Sequence, residues 1–150
     1  MTPAVEAAKR AGIEFRLHEY DGVEVGDGVY AVAVAQALDR PPEQLFKTLV
    51  VEADGGFRVF VVPAGRQLDL HSVGKRAQLA ERGAAERATG YVVGGISPLG
   101  QRRRLPTTVD GSALQWETIL VSAGRRGLQI ELDPHDLVRL TDASVAQVAA

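Results

Sequence analysis

One lysine and two loops of glycine and arginine are the residues of this sequence best equipped for chemistry. Lys47 stands in FKTLVV, on the same face of an alternating segment as Leu45, Leu49 and Val51. A lysine so placed either snorkels its ammonium to solvent or holds it in a pocket, where three donors and a positive charge can meet an anion or a carbonyl oxygen. The second feature is TGYVVGGISPLGQRRRLPT, residues 89–107. Its Gly94–Gly100 bend has the outline of a phosphate loop. Gln101 and Arg102, however, occupy the positions where such a loop needs Lys and Ser or Thr, and Pro106 soon blocks a following helix. Nor is it the elbow of a serine hydrolase, because the glycine after Ser97 comes one residue too late. What remains is either a tight turn or a nest of backbone N–H groups that binds a carbonyl or phosphate oxygen. Arg102, Arg103 and Arg104 follow at once, and SAGRRG at 122–127 repeats the theme of serine, glycine and arginine. Beside such a nest, these arginines suit a phosphodiester better than solvent alone.

Other chemistries are poorly supplied. Cysteine is absent, which removes disulfides, thiolate nucleophiles and cysteine–metal sites, and fits a cytoplasmic protein. His18, His71 and His135 are dispersed without ligand spacing, so no metal is expected, and no cofactor motif is present. No Ser/His/Asp set stands out, so the reaction, if there is one, is not expected to use a conventional protein nucleophile. The net charge of −2 conceals an asymmetry: from Arg66 to Arg126 ten basic residues face five acidic ones, while the remainder is acidic. A basic middle can bind an anion locally. Only three tyrosines are present, too few for an extended base-stacking platform, so a short nucleic-acid end fits better than a long strand. The opening segment lacks the apolar run of a signal peptide, and no segment approaches the length of a membrane span. Neither a membrane nor DNA is expected as a partner.

The elements that must position these residues follow from caps, glycines and periodicity. Thr2-Pro3 starts a helix over 3–11 that ends at Gly12, and 13–20 alternates as a strand. DGVEVGDG, 21–28, is a loop, and 30–38 is an Ala-rich helix stopped by Pro41-Pro42. A strand leads from Lys47 to a hairpin turn at Gly55-Gly56, and FRVFVVPA returns. A short helix at LDLHSV, a possible strand at RAQLA and a helix closed by Gly90 come next. YVVGG is expected as a strand into the bend; LPTTVD, TILVSAG and GLQIEL are further strands, and Asp133-Pro134 starts a helix over 134–140. Strands in hairpin-like pairs with helices between them predict a mixed α/β (α+β) chain. One domain over 1–150 is expected, with a curved, largely antiparallel, barrel-like sheet flanked by helices.

With these residues in place the chain resembles the YbaK/EbsC family, free-standing relatives of the editing domain of bacterial prolyl-tRNA synthetases. The resemblance rests on the opening MTPAVEAAKRAGIEFRLHEY, on FKTLVV and PAGRQLDL, on ATGYVVGGISPLGQRRRLPTTVD and on SAGRRGLQIEL, in that order along nearly the whole length. It implies a trans-editing deacylase for mischarged tRNA, nearer the Cys-tRNA(Pro) type than the Ala-tRNA(Pro) type, acting on the aminoacylated 3′ end and working with prolyl-tRNA synthetase. It implies that Lys47, Gly95, Ser97 and Gly100 serve the reaction. Tyr20, Tyr30, Thr48, Gly94, Ile96, Pro98, Ser122 and Asp136 would contact substrate, and the substrate's own thiol would attack its ester. Arg102–Arg104 remain candidates for the RNA phosphates on charge alone. Removal of another small amino acid, or tRNA binding without catalysis, are the alternatives. Gly22 stands where the family often has a second histidine, Ala31 where a glycine is common, and the helix after LDL is shortened, so the 21–28 loop is expected to differ.

Overall fold

The computed structural model describes residues 1–24 and 29–150; the rest of the expected 21–28 loop lies outside the described residues. Helix α1 (Pro3–Ala11) begins where the Thr2 hydroxyl accepts the Val5 N–H at 3.2 Å, with Pro3 in the first turn, and ends at Gly12 in a left-handed cap. Its buried Ala4, Val5 and Ala8 pack on the central core. Strand β1 (Phe15–Glu19) and helix α2 (Tyr30–Ala37) follow. Strands β2 (Phe46–Ala53) and β3 (Gly56–Pro63) form an antiparallel hairpin. The expected turn is displaced by one residue. Asp54 and Gly55 sit at its centre, both with positive φ as a tight hairpin turn requires, and Gly56 already pairs with Ala53.

After β3 come α3 (Leu70–Val73), the two-residue β4 (Gln78–Leu79) and α4 (Arg82–Thr89), closed by Gly90 in a left-handed cap. Strand β5 (Thr107–Asp110), a 3₁₀ turn, β6 (Ile119–Arg125), β7 (Leu128–Leu132), α5 (Pro134–Thr141) and β8 (Ser144–Ala146) complete the order. The strands make two sheets, an antiparallel β1-β7-β6 and a mixed β4-β2-β3-β5-β8 in which β5 is parallel to both of its neighbours. Among the described residues an isolated bridge, Leu45–Leu120, links them. The mixed α/β class agrees with the sequence; the described sheets are not closed into a barrel. The YVV stretch at 91–93 is not a strand but part of an irregular segment.

The two faces of the small sheet differ. Ile119, Val121, Ile130 and Leu132 fill the core with α1 and α5, while Leu120, Ser122, Gln129 and Glu131 face the other way, under α2. Arg40, just beyond α2, grips Glu131 with two hydrogen bonds of 3.1 and 3.0 Å; Thr118 adds one at 2.6 Å and His18 one at 2.7 Å. Burial alone would raise the Glu131 carboxyl, but the bonds from Arg40, Thr118 and His18 outweigh it and hold the pKa at about 2. This clamp fixes the end of α2, and α2 carries Tyr30.

Because the folded pKa lies below the unfolded one, the clamp stabilises fully above about pH 5 and is lost as pH falls toward 2. Urea denaturation across that range should show wild-type stability dropping by about 3 kcal/mol more than that of Glu131→Gln. Parallel acid profiles for the two proteins would show that this carboxylate is not the anchor.

Candidate active site

Strand β2 is covered along one edge by β3 but along the other only at Val51 and Glu52, where β4 pairs. A cavity of about 560 Å³ wraps round the uncovered stretch. Lys47 and Thr48 lie on opposite faces of the strand, and both line the cavity because it embraces the strand edge. Tyr30 and Val34 of α2 supply one wall, Ser122 and Gln129 of the small sheet another, Gly94 and Ile96 a third, and Arg82 and Ala85 of α4 a fourth, with Ala85 buried and the Arg82 side chain exposed at the cavity's edge. Among the described lining residues there is no Asp, Glu or His.

Lys47 is half-buried. Its ammonium donates one long bond of 3.4 Å to the Ala64 carbonyl, and burial lowers its pKa. Its other donors are available to a carbonyl or anion in the cavity. The Thr48 hydroxyl and the Gln129 amide oxygen are buried and have no hydrogen-bond partner. Unpaired buried polar atoms cost roughly 1–3 kcal/mol each, and both of these belong to residues that line the cavity. The Ser122 hydroxyl accepts the Gly124 N–H at 3.2 Å and has no base beside it. Tyr20 and Tyr30 join their hydroxyls at 2.8 Å; burial and that bond push the Tyr30 phenol upward, so it stays a neutral donor.

The bend 94–100 divides. Gly94 and Ile96 reach the cavity; Gly95, Ser97, Pro98 and Gly100 do not line it. Ser97 is fully buried, and its hydroxyl accepts the Leu99 N–H at 3.2 Å. A Cβ on Gly95 would lie 2.7 Å from the Arg125 backbone, and one on Gly100 would lie 2.6 Å from the Pro3 carbonyl oxygen. These residues therefore pack the bend against the β6–β7 turn and the start of α1, where no side chain fits. Tyr91 braces the segment from inside, its buried hydroxyl donating to the Leu99 carbonyl at 2.6 Å; burial pushes its pKa to about 12.

Two further expectations shift. Asp136 does not join this cavity. It sits on α5, held by Arg139 at 2.9 Å, beside a second cavity of about 810 Å³ that also contains Glu14, Glu117, Glu131 and Asp133. That acidic hollow repels an anionic ligand. Arg102–Arg104 do not line the Lys47 cavity either. Arg102 packs at Gly90, the far end of α4 from Arg82, and Arg104 donates to the Leu140 carbonyl. Gln129 and Arg82 were not among the expected residues. Gln129 had a signal: in LQIEL two polar residues alternate with three apolar ones, which puts both on one covered face.

The sequence and the fold have known counterparts. The family model described as an aminoacyl-tRNA editing domain matches residues 27–140. A protein of Enterococcus faecalis named as a candidate Cys-tRNA(Pro)/Cys-tRNA(Cys) deacylase, EbsC, is 33% identical over 153 residues, covering 98% of this chain and 92% of that protein. A solved structure described as a candidate trans-editing enzyme for prolyl-tRNA synthetase superposes with a TM-score of 0.84 at 24% identity, covering 100% of this chain and 99% of the other. A second, described as a hypothetical protein, gives 0.84 at 27% identity over 99% of each chain.

If Gly95 is a packing residue, Gly95→Ala should cost about 2 kcal/mol of stability by overpacking against the Arg125 backbone. Thermal and urea unfolding measure it; a variant as stable as wild type but unable to bind ligand would return Gly95 to the binding surface.

Proposed function

The chain belongs to the aminoacyl-tRNA editing domain family, and from that premise we propose that it is a trans-editing deacylase that hydrolyses mischarged Cys-tRNA(Pro), and by the same chemistry Cys-tRNA(Cys). The observation that carries this reading is a cavity with a half-buried lysine and two orphan polar groups, but no carboxylate, histidine or thiol among its described lining residues. Such a site can hold an ester and stabilise an oxyanion, and its described lining holds no carboxylate or imidazole to act as a base.

The nucleophile then arrives with the substrate. The terminal adenosine lies across the mouth, and the aminoacyl group enters between Thr48, Gln129 and Tyr30. The Gln129 amide oxygen and the Thr48 hydroxyl accept N–H groups of the α-ammonium, and Lys47 donates to the ester carbonyl. The substrate thiolate attacks that carbonyl carbon. A C–S bond forms, the C–O bond to the ribose breaks, and the ribose oxygen takes up from solvent a proton equivalent to the one the thiol gave up. Free tRNA leaves with a four-membered thiolactone, which water opens to cysteine. The lysine charge favours both the thiolate and the developing oxyanion, and the snug walls keep sulfur and carbonyl close. Ser97 and Gly100, which resemble family site residues, act here by shaping the bend. Selection of tRNA(Pro) falls to a complex with prolyl-tRNA synthetase in the cytoplasm.

Lys47→Ala should lower the single-turnover rate of Cys-tRNA(Pro) deacylation by about 100-fold or more while leaving the unfolding midpoint near that of wild type. Across a panel of mischarged tRNAs, Ser-tRNA, with a hydroxyl in place of the thiol, should turn over far more slowly than Cys-tRNA. Full activity of the Lys47 variant would sink the assignment, and equal rates on the Cys and Ser esters would replace the substrate thiol with water. Release of Ala alone would assign the other substrate class.

A further inference from the structure

The sequence offers Arg102–Arg104 for RNA phosphates, yet none of them lines the Lys47 cavity: Arg102 packs at Gly90 and Arg104 reaches the Leu140 carbonyl on α5. At the mouth stands a different pair. Arg82 opens α4 and lines the cavity, and its side chain is 62% exposed. Arg126, exposed in the β6–β7 turn, donates from Nε to the Val93 carbonyl at 2.9 Å, beside the Gly94–Ile96 wall. Between them stands Glu86. Its carboxylate accepts the Val93 N–H at 2.8 Å and lies 3.4 Å from Arg82 Nε. Both charges of the pair bear on Glu86, which Val93, Arg82 and Arg126 together hold below the ordinary carboxylate range. One carboxylate and one peptide unit, Val93, thus hold two exposed guanidinium groups on the same rim.

We propose that Arg82 and Arg126, braced by Glu86 and Val93, form the phosphate-binding rim for the single-stranded 3′ end of the RNA whose esterified terminus enters the Lys47 cavity. The inference rests on the deacylase reading and assigns the surface that reading leaves open. Its physical basis is charge placement. An RNA end threaded into a cavity must lay its last phosphodiesters on the mouth, and two exposed, pre-oriented guanidinium groups there match them as bidentate donors. The acidic hollow under Glu14, Glu117 and Asp133 excludes the other cavity from that role.

The test compares two substrates, Cys-tRNA(Pro) and 3′-O-cysteinyl-adenosine, which carries the same ester without any phosphate. The double variant Arg82→Gln/Arg126→Gln should raise KM for the tRNA about 10-fold or more, and at least fivefold more than for the adenosine ester, with kcat little changed. The triple variant Arg102→Gln/Arg103→Gln/Arg104→Gln should show no such difference between substrates. Binding of uncharged tRNA should lose about 0.7 from its log–log salt slope for each rim arginine removed. Arg126→Lys keeps the charge and should retain most of that slope. A loss of equal size on both substrates, a slope unaltered in the double variant, or an effect carried by the triple variant would each overturn the rim. Because the salt slope needs no turnover, a wild type that releases no amino acid yet loses slope in the double variant would refute the deacylase reading and support the rim.

Discussion

The cavity depends on two places where backbone meets backbone with no side chain between. Gly95 lies against the Arg125 peptide and Gly100 against Pro3, so the irregular 91–106 segment is pressed between the β6–β7 turn and the first turn of α1. That contact sets the position of Gly94 and Ile96, hence the third wall of the cavity, and brings Val93 within reach of both Glu86 and Arg126. The segment has no ladder or helix to keep its shape. It relies instead on close approach, on Tyr91 reaching back to Leu99, on Gln101 donating to the Ser97 carbonyl, and on Arg102 N–H closing onto Thr89. A glycine-rich loop of this kind is rigid because its glycines are packed, not because glycine is stiff.

Electrostatics divides the molecule in the same way as packing. The face of the small sheet under α2 carries a row of polar groups. At one end of that row Glu131 is saturated by Arg40, Thr118 and His18; further along, Gln129 and Ser122 open to the cavity. The saturated end is structural, an anchor for α2. The unsaturated end, where Gln129 keeps an unpartnered amide oxygen as Thr48 keeps an unpartnered hydroxyl on β2, is where the fold leaves hydrogen-bonding capacity unspent. A similar device closes the far edge of the large sheet. There Asp110 accepts the Val148 and Ala149 N–H groups at 2.9 Å each and draws the C-terminal strand β8 alongside β5.

Much of this was legible in the sequence, and the exceptions have physical causes. The helices at 3–11, 82–89 and 134–141 announce themselves through Thr2-Pro3, Gly90 and Asp133-Pro134, because caps act locally. Lys47 stands out because a charge on an apolar strand face has few explanations. β8 was invisible: its three residues are exposed and owe their order to Asp110, distant in sequence. The misplaced strand at 91–93 has an apolar pattern, but its groups are engaged otherwise: the Tyr91 hydroxyl bonds the Leu99 carbonyl, and the Val93 N–H bonds Glu86. The bend's residues were recognisable as a group, but sequence does not distinguish a glycine that admits a ligand from one that admits another backbone. The same holds for Asp136 and the Arg102–Arg104 run, whose charges are plain in the sequence while their direction from the cavity is a matter of tertiary geometry.

A site furnished in this way discriminates on the proposed reading by chemistry more than by fit. A hydrophobic pocket separates amino acids of similar size by only about 1–3 kcal/mol, which is too little to spare correctly charged tRNA from an efficient hydrolytic base. A cavity that instead supplies a cation, oriented donors and no base leaves an ester intact unless the ester brings its own nucleophile. Proline, with its nitrogen in a ring and no side-chain nucleophile, would then sit in the same space and survive. On that reading, adding a carboxylate near Lys47 would be expected to broaden the substrate range rather than improve the enzyme. Burial lowers the Lys47 pKa, and the same loss of solvation strengthens the pull of its ammonium on an oxyanion.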